Sequence, residues 1–406
     1  MPSTKKTKTR FRLTMATAVC SLVVAACTAP PLPDKPPLHT GGVNPDTAAQ
    51  ADVAAYAALG PFAVGVTTVE VEPGRQMEVW YPADSSATVG LTPEAYHLRA
   101  FISSTLSSIL SPTVDPTFQT PAFRGVASAP GANRPLVLFS HGAMGFRLQS
   151  TTITTHLASW GFIVVSPDYF ERGLQTIAGE TAPAPGRSSA DVTQLVMNKA
   201  NAMNASGDLA GKIDTSRLFP IGHSAGGSQS TALAGSRTDV QSWISMASGV
   251  NLTPTIFNQS PTVPVGLANP DKTVMWLGGE NDGIAALPGV LNAYDYSAGE
   301  KKLVVIPGAG HNNAFGDFCE VGRAEGGLIG LALSGGLTLP DSVINLAQDG
   351  CVSPPNYLGP QVWPIVNHFV TAELRYRSGL DPAPVGLGAG VVNQFGGVVP
   401  TYRHNE

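Results

Sequence analysis

The stretch of this 406-residue chain best suited to nucleophilic chemistry is Gly222-His223-Ser224-Ala225-Gly226, with Gly227 directly behind it. It follows a short apolar run, Arg217 to Ile221, and precedes a small-residue segment that reads as a helix. A serine in a G-x-S-x-G turn sits on a sharp strand-to-helix bend. Its hydroxyl stands clear of the sheet while the glycines let neighbouring segments pass closely. The helix behind it also points its positive end at the hydroxyl.

With 44 glycines in the chain, the pattern needs its surroundings to carry weight. A serine hydroxyl is a weak nucleophile at neutral pH, so it requires a histidine to take its proton and an acid to orient that histidine. Val274 to Leu277 runs into Gly278-Gly279-Glu280-Asn281-Asp282-Gly283, which offers Asp282 as the acid and Glu280, nearer the strand end, as its rival. Leu303 to Ile306 runs into Pro307-Gly308-Ala309-Gly310-His311, which offers His311 as the general base. Six of the other seven histidines are worse placed: His223 lies inside the turn and cannot point the way Ser224 points, His156 and His368 fall in helical stretches, and His39, His97 and His404 lie far from any strand end. The oxyanion needs two backbone N–H donors. Ala225, directly after the serine, supplies one, and Ala143 in the loop His141-Gly142-Ala143-Met144-Gly145 supplies the other. His141 itself reads as a structural residue beneath that loop, and Asp168 as a structural carboxylate. Met144, Phe146, Tyr169 and Phe170 are expected at the mouth of the site as an apolar acyl pocket.

Serine, acid and histidine in that chain order are the arrangement of α/β-hydrolases. Eight strands are predicted to position them: Phe62 to Val71, Met77 to Tyr81, Leu136 to Ser140, Phe162 to Ser166, Leu218 to Ile221, Trp243 to Ala247, Val274 to Leu277 and Leu303 to Ile306. Helical stretches separate the last six, including Ser150 to Trp160, Ser189 to Met203, Ala225 to Leu233 and Ala286 to Tyr294, so the fold class is α/β: an α/β-hydrolase fold with a mostly parallel eight-stranded sheet and helices on both faces. Thr92 as N-cap and Pro93 at the first helical position predict a helix reaching Leu110, either a lid or a helix packed on the sheet edge. A last helix is predicted from about Gln361 to Arg377.

Residues 1–26 have the layout of an export signal, with a basic start, an apolar stretch and small residues before Cys27. Val24-Ala25-Ala26-Cys27 resembles a bacterial lipobox, which implies lipidation of Cys27 and attachment to a membrane; a plain cleavable signal is the alternative. Residues 27–58, rich in proline and alanine, read as a flexible linker, 59–380 as the catalytic domain, and 381–406 as a tail lying extended along the surface or disordered. Cys319 and Cys351 remain for the mature protein, and an oxidising compartment would pair them as a disulfide. The net charge of -5 with no basic, aromatic-interleaved patch excludes nucleic acid as a partner. No cofactor or metal is implied, and the protein is expected to be a monomer.

The run Phe139-Ser140-His141-Gly142-Ala143-Met144-Gly145-Phe146-Arg147, continuing through His156-Leu157-Ala158-Ser159-Trp160-Gly161-Phe162-Ile163-Val164, resembles the platelet-activating factor acetylhydrolase and dienelactone-hydrolase-like branch of α/β-hydrolases. So does Phe62-Ala63-Val64-Gly65-Val66 followed by Met77-Glu78-Val79-Trp80-Tyr81-Pro82. Bacterial polyester hydrolases and cutinase-like enzymes look like neighbours on the same scaffold. Dienelactone hydrolases proper use cysteine where this chain has Ser224, and the animal acetylhydrolases take their acid after the sixth strand, where Ser245-Met246-Ala247-Ser248-Gly249 holds no carboxylate. The resemblance implies acyl-ester hydrolysis, on small-molecule or polymeric esters. The readings to separate are an exported serine esterase for short to medium acyl chains, a lipase or polyester hydrolase, and a catalytically silent binding module.

Overall fold

The apolar runs of this chain divide their side chains between two cores, one on each face of a single sheet, because successive residues of a strand point to opposite sides. Leu136 and Leu138 pack on one face while Val137 and Phe139 pack on the other. Val274 and Trp276 oppose Met275 and Leu277 in the same way. This is why the runs lack polar alternation: both faces are covered.

The computed structural model describes residues 48–102, 107–108, 115–177, 181–250, 263–323, 327–334, 336 and 338–405. The predicted export signal and Cys27 lie outside the described residues. The strands are β1 (Ala63–Glu72), β2 (Arg75–Ala83), β3 (Ala95–His97), β4 (Thr117–Gln119), β5 (Ala122–Arg124), β6 (Arg134–Ser140), β7 (Ile163–Pro167), β8 (Ile213–His223), β9 (Ser242–Met246), β10 (Thr273–Gly279), β11 (Lys301–Ile306) and β12 (Thr401–His404). The main sheet has ten strands rather than the expected eight, in the order β12-β11-β10-β9-β8-β6-β7-β2-β1-β5. β7, β6, β8, β9, β10 and β11 run parallel to their neighbours within that set. Their C-terminal ends therefore share one edge, where sites on open α/β sheets form.

The helices are α1 (Thr151–Ser159), α2 (Ser189–Ala205), α3 (Ala225–Ser236), α4 (Leu287–Tyr296), α5 (Gly327–Ser334), α6 (Asp341–Gln348) and α7 (Gly359–Ser378). α1 and α7 cover one face through Ile153, Leu157, Val362, Val366 and Phe369. α2, α3 and α4 cover the other through Val196, Leu233 and Val290. Burying each such side chain is worth about 1.5–3 kcal/mol. α2 starts at a capping box in which Ser188 accepts from the Asp191 N–H and the Asp191 carboxylate accepts from the Ser188 N–H. The buried carboxylate of Asp317 closes the start of α1, accepting from the N–H of Thr151 (2.9 Å) and of Thr152 (3.0 Å).

Three further expectations need correction. The helix expected from Thr92 is a strand, Ala95–His97, followed by a 3-10 turn, Leu98–Phe101; its remaining residues lie largely outside the described ones. Distant backbone partners override the helical spacing there: Glu94 N–H donates to Ala122 O, Thr120 N–H to Glu94 O, and Leu98 N–H to Pro116 O. The tail after Leu380 is ordered against the domain, with Val391 and Phe395 buried and β12 antiparallel to β11 at the sheet edge. The linker does not extend to residue 58, because Tyr56 is buried against Trp160 and hydrogen-bonds Asp381.

Candidate active site

Ser224 stands between β8 and α3 with φ 55° and ψ -120°, a conformation that costs an L-residue of order 1–3 kcal/mol. Neighbouring backbone holds it there: Ser224 N–H donates to Met246 O at 2.8 Å, and Ser224 O accepts from Gly227 N–H at 2.9 Å. The glycines are required by contact as well as by pattern. A Cβ on Gly226 would come within 1.9 Å of Ser140 O, and one on Gly222 within 2.3 Å of the Gly226 backbone.

Ser224 Oγ lies 2.9 Å from His311 Nε2, and His311 Nδ1 lies 3.1 and 3.0 Å from the two carboxylate oxygens of Asp282. These partners fix the tautomer: Nδ1–H donates to Asp282 and Nε2 accepts from the serine. Asp282 is buried, and burial alone would raise its pKa. The hydrogen bond and charge of His311 and the N–H groups of Ala285 and Ile284 outweigh that and leave it below the ordinary carboxylate range. Glu280, the rival acid, is exposed, and its carboxylate accepts from Gly308 N–H at 3.4 Å.

The loop after β6 lies against the serine, since a Cβ on Gly142 would fall 3.1 Å from Ser224 Cβ. Its donors are spent unevenly. Gly142 N–H goes to Gln149 Oε1, Met144 N–H to Arg172 O and Gly145 N–H to Gly142 O. Among the described residues, Ala143 N–H and Ala225 N–H have no acceptor, and both residues are partly exposed beside Ser224. Two free donors at the nucleophile suit a developing oxyanion.

Residues 48–178 match the family model of platelet-activating factor acetylhydrolase, isoform II. Over those residues, about a third of the chain, it is similar to that family. It is a serine carboxylic ester hydrolase, which sets aside the silent binding module. No curated protein matches the chain. The matched stretch carries the loop after β6, whereas Ser224, Asp282 and His311 all lie beyond it.

Of the four residues expected at the mouth of the esterase's site, Met144 packs with Phe318, Ile329 and Ala347 in a small apolar cluster beneath α5 and α6. Tyr169 is instead fully buried, its hydroxyl hydrogen-bonded with Ser140 and Gln229 and its ring 4.0 Å from the Arg172 guanidinium. Phe146 stacks on Phe101, and Phe170 lies under Arg75. Phe146, Tyr169 and Phe170 line a cavity of about 250 Å³ on the far side of the oxyanion loop, whose lining includes none of Ser224, Asp282 and His311. The Tyr169 hydroxyl is committed to Ser140 and Gln229, while Phe146 and Phe170 face that cavity rather than Ser224.

Several further contacts complete the site, among them the expected structural place of His141 beneath the loop and the expected disulfide. His223 Nε2–H donates to His311 O at 2.8 Å, while its Nδ1 accepts from Gln149. Burial, with the neighbouring His311, lowers the His223 pKa to about 3 and keeps it neutral. His141 is likewise held neutral beneath the loop, donating from Nδ1 to Gly142 O and accepting at Nε2 from Tyr169 N–H. Its pKa is lowered to about 3, mainly by burial. Arg172 donates to His141 O and to Gln229, so one guanidinium braces the oxyanion loop. Cys319 and Cys351 form a disulfide.

Proposed function

We propose that this esterase works through an acyl-enzyme on Ser224. Ser224 Oγ attacks the ester carbonyl as His311 Nε2 takes its proton, and the N–H groups of Ala143 and Ala225 receive the oxyanion. His311 then returns the proton to the departing alcohol. Water repeats the sequence, giving up a proton to His311 as it attacks the acyl carbon, and Ser224 leaves protonated. Asp282 holds the imidazole in the tautomer that makes both transfers possible. The carrying observation is the hydrogen-bonded line from Ser224 Oγ through His311 to Asp282.

The substrate we infer is a carboxylic ester with a short to medium acyl chain, its apolar part against Met144 and the cluster beneath α5 and α6. A lipase or polyester-hydrolase specificity draws on α5, whose sequence Gly327-Leu328-Ile329-Gly330-Leu331-Ala332-Leu333-Ser334 is almost wholly apolar and leaves Leu333 half exposed. Rates across an acyl-length series, with a polymer film as the last member, separate the two. Export with a lipid on Cys27 is part of the same reading, supported by the amino-terminal pattern and by the disulfide; fractionation of cells carrying Cys27→Ser tests it. For the mechanism, Ser224→Ala is expected to lower turnover of a short-chain chromogenic ester by several orders of magnitude with the melting temperature preserved. Turnover near the parent rate would refute it.

A further inference from the structure

The carboxylate of Asp349, contributed by the Cys319–Cys351 insertion, reaches both loops of the triad. Its Oδ1 accepts from His311 N–H at 2.6 Å, and its Oδ2 accepts from the N–H of Gly283, the residue after Asp282, at 3.0 Å. These bonds sit where ordinary pairing stops. β10 and β11 pair as far as Gly279 and Ile306, and the ladder is prolonged by Glu280 N–H to Ile306 O and Asn281 N–H to Ala309 O. Beyond Asn281 the two chains diverge, and Asp349 spans the gap.

Its own placement is firm. Asp349 N–H closes the end of α6 on Asn345 O, and Asp349 O accepts from the backbone and side chain of Asn312, at 3.1 Å each. Two residues later, Cys351 is bonded to Cys319. The approach also needs bare backbone, since a Cβ on Gly310 would stand 2.6 Å from Asp349 Oδ1 and one on Gly283 2.8 Å from Oδ2. With His223 holding His311 O, the backbone of His311 is gripped on both its polar groups.

We propose that Asp349 is a positioning residue of the ester-hydrolysing reaction, fixing the spacing between the Asp282 and His311 loops so that His311 meets Asp282 and Ser224 at once. The proposal rests on the triad reading above. A carboxylate has two acceptor oxygens and no donor, so it suits two N–H groups. An amide keeps one acceptor and turns a donor toward the other N–H, and alanine keeps neither.

The test is steady-state kinetics of Asp349→Asn and Asp349→Ala, each normalised to active sites titrated with a fluorophosphonate, beside Ser224→Ala. Misplacement of a catalytic group by about 1 Å costs on the order of 100-fold. The expected result is a fall in kcat per titrated site of about 10- to 100-fold for Asn and more for Ala, with KM changed less than about threefold. The downfield proton resonance of His311 Nδ1–H should broaden or move in both variants. A merely structural residue would lower the titratable fraction and leave kcat per site and the resonance intact, and that result would overturn the proposal. If Ser224→Ala is dead and both Asp349 variants turn over normally per site, the Asp349 role alone falls. If Ser224→Ala retains turnover, the triad and the Asp349 role fall together.

Discussion

Asp282 and Glu280 stand two residues apart on one loop, and only the first is turned inward to His311, with its oxygens taken up by Nδ1, Ile284 N–H and Ala285 N–H. Asp282→Asn would present a donor to Nδ1 and favour the wrong tautomer. A loss of about three to four orders of magnitude in kcat is expected, while Glu280→Gln should stay within about twofold. A large effect at Glu280 and a small one at Asp282 would reverse the assignment. The sequence left this choice open because both carboxylates follow the same strand, and what separates them is a turn of the loop. Ser224 and His311 were legible because each stands where an apolar run ends. Asp349 was not: its bond to His311 spans 38 residues and exists only because the insertion folds back.

At the scale of elements, the insertion between Cys319 and Cys351 places α5 and α6 over Met144 and delivers Asp349 to the triad loops. The disulfide closes a separation of 32 residues, for which chain entropy gives about 3–4 kcal/mol. Replacing both cysteines by serine should lower the melting temperature by several degrees. An unchanged melting temperature would show that the insertion is held by its packing alone. Most of the later predicted strands were readable because they are short, near-continuous apolar runs. β12, Thr-Tyr-Arg-His, carries no such signal and is a strand only because β11 offers an edge. The segment after Thr92 misled for the converse reason, because a well-placed N-cap and proline lost to pairing with residues 18 to 28 positions away.

Among the described residues, four histidines outside the Ser224–His311–Asp282 line are buried as neutral imidazoles. His141 and His223 are lowered to about 3 and His156 and His368 to about 4, chiefly by burial. Each binds a proton in the unfolded chain near pH 6.5 but not in the fold, so its contribution is fully present above that pH and is lost as pH falls toward the folded value. Each accounts for up to about 1.4 kcal/mol per pH unit in that window. Asp317, pushed up to about 6 by burial against the donors at Thr151 and Thr152, acts in the opposite sense between about 6 and 3.8. Asp168, also raised by burial, acts with Asp317, and the four imidazoles outweigh these two carboxyls, so the melting temperature should drop steadily from pH 6.5 to pH 4.5. A flat profile across that interval would show that these imidazoles titrate as freely folded as unfolded.

The nucleophile itself is open to direct observation. Reacting the protein with a fluorophosphonate and mapping the adduct by peptide mass spectrometry should place a single modification on Ser224. Labelling should be lost in Ser224→Ala and strongly slowed when His311 is replaced by alanine. An adduct on another residue, or labelling that survives both substitutions, would contradict the catalytic line from Ser224 through His311 to Asp282.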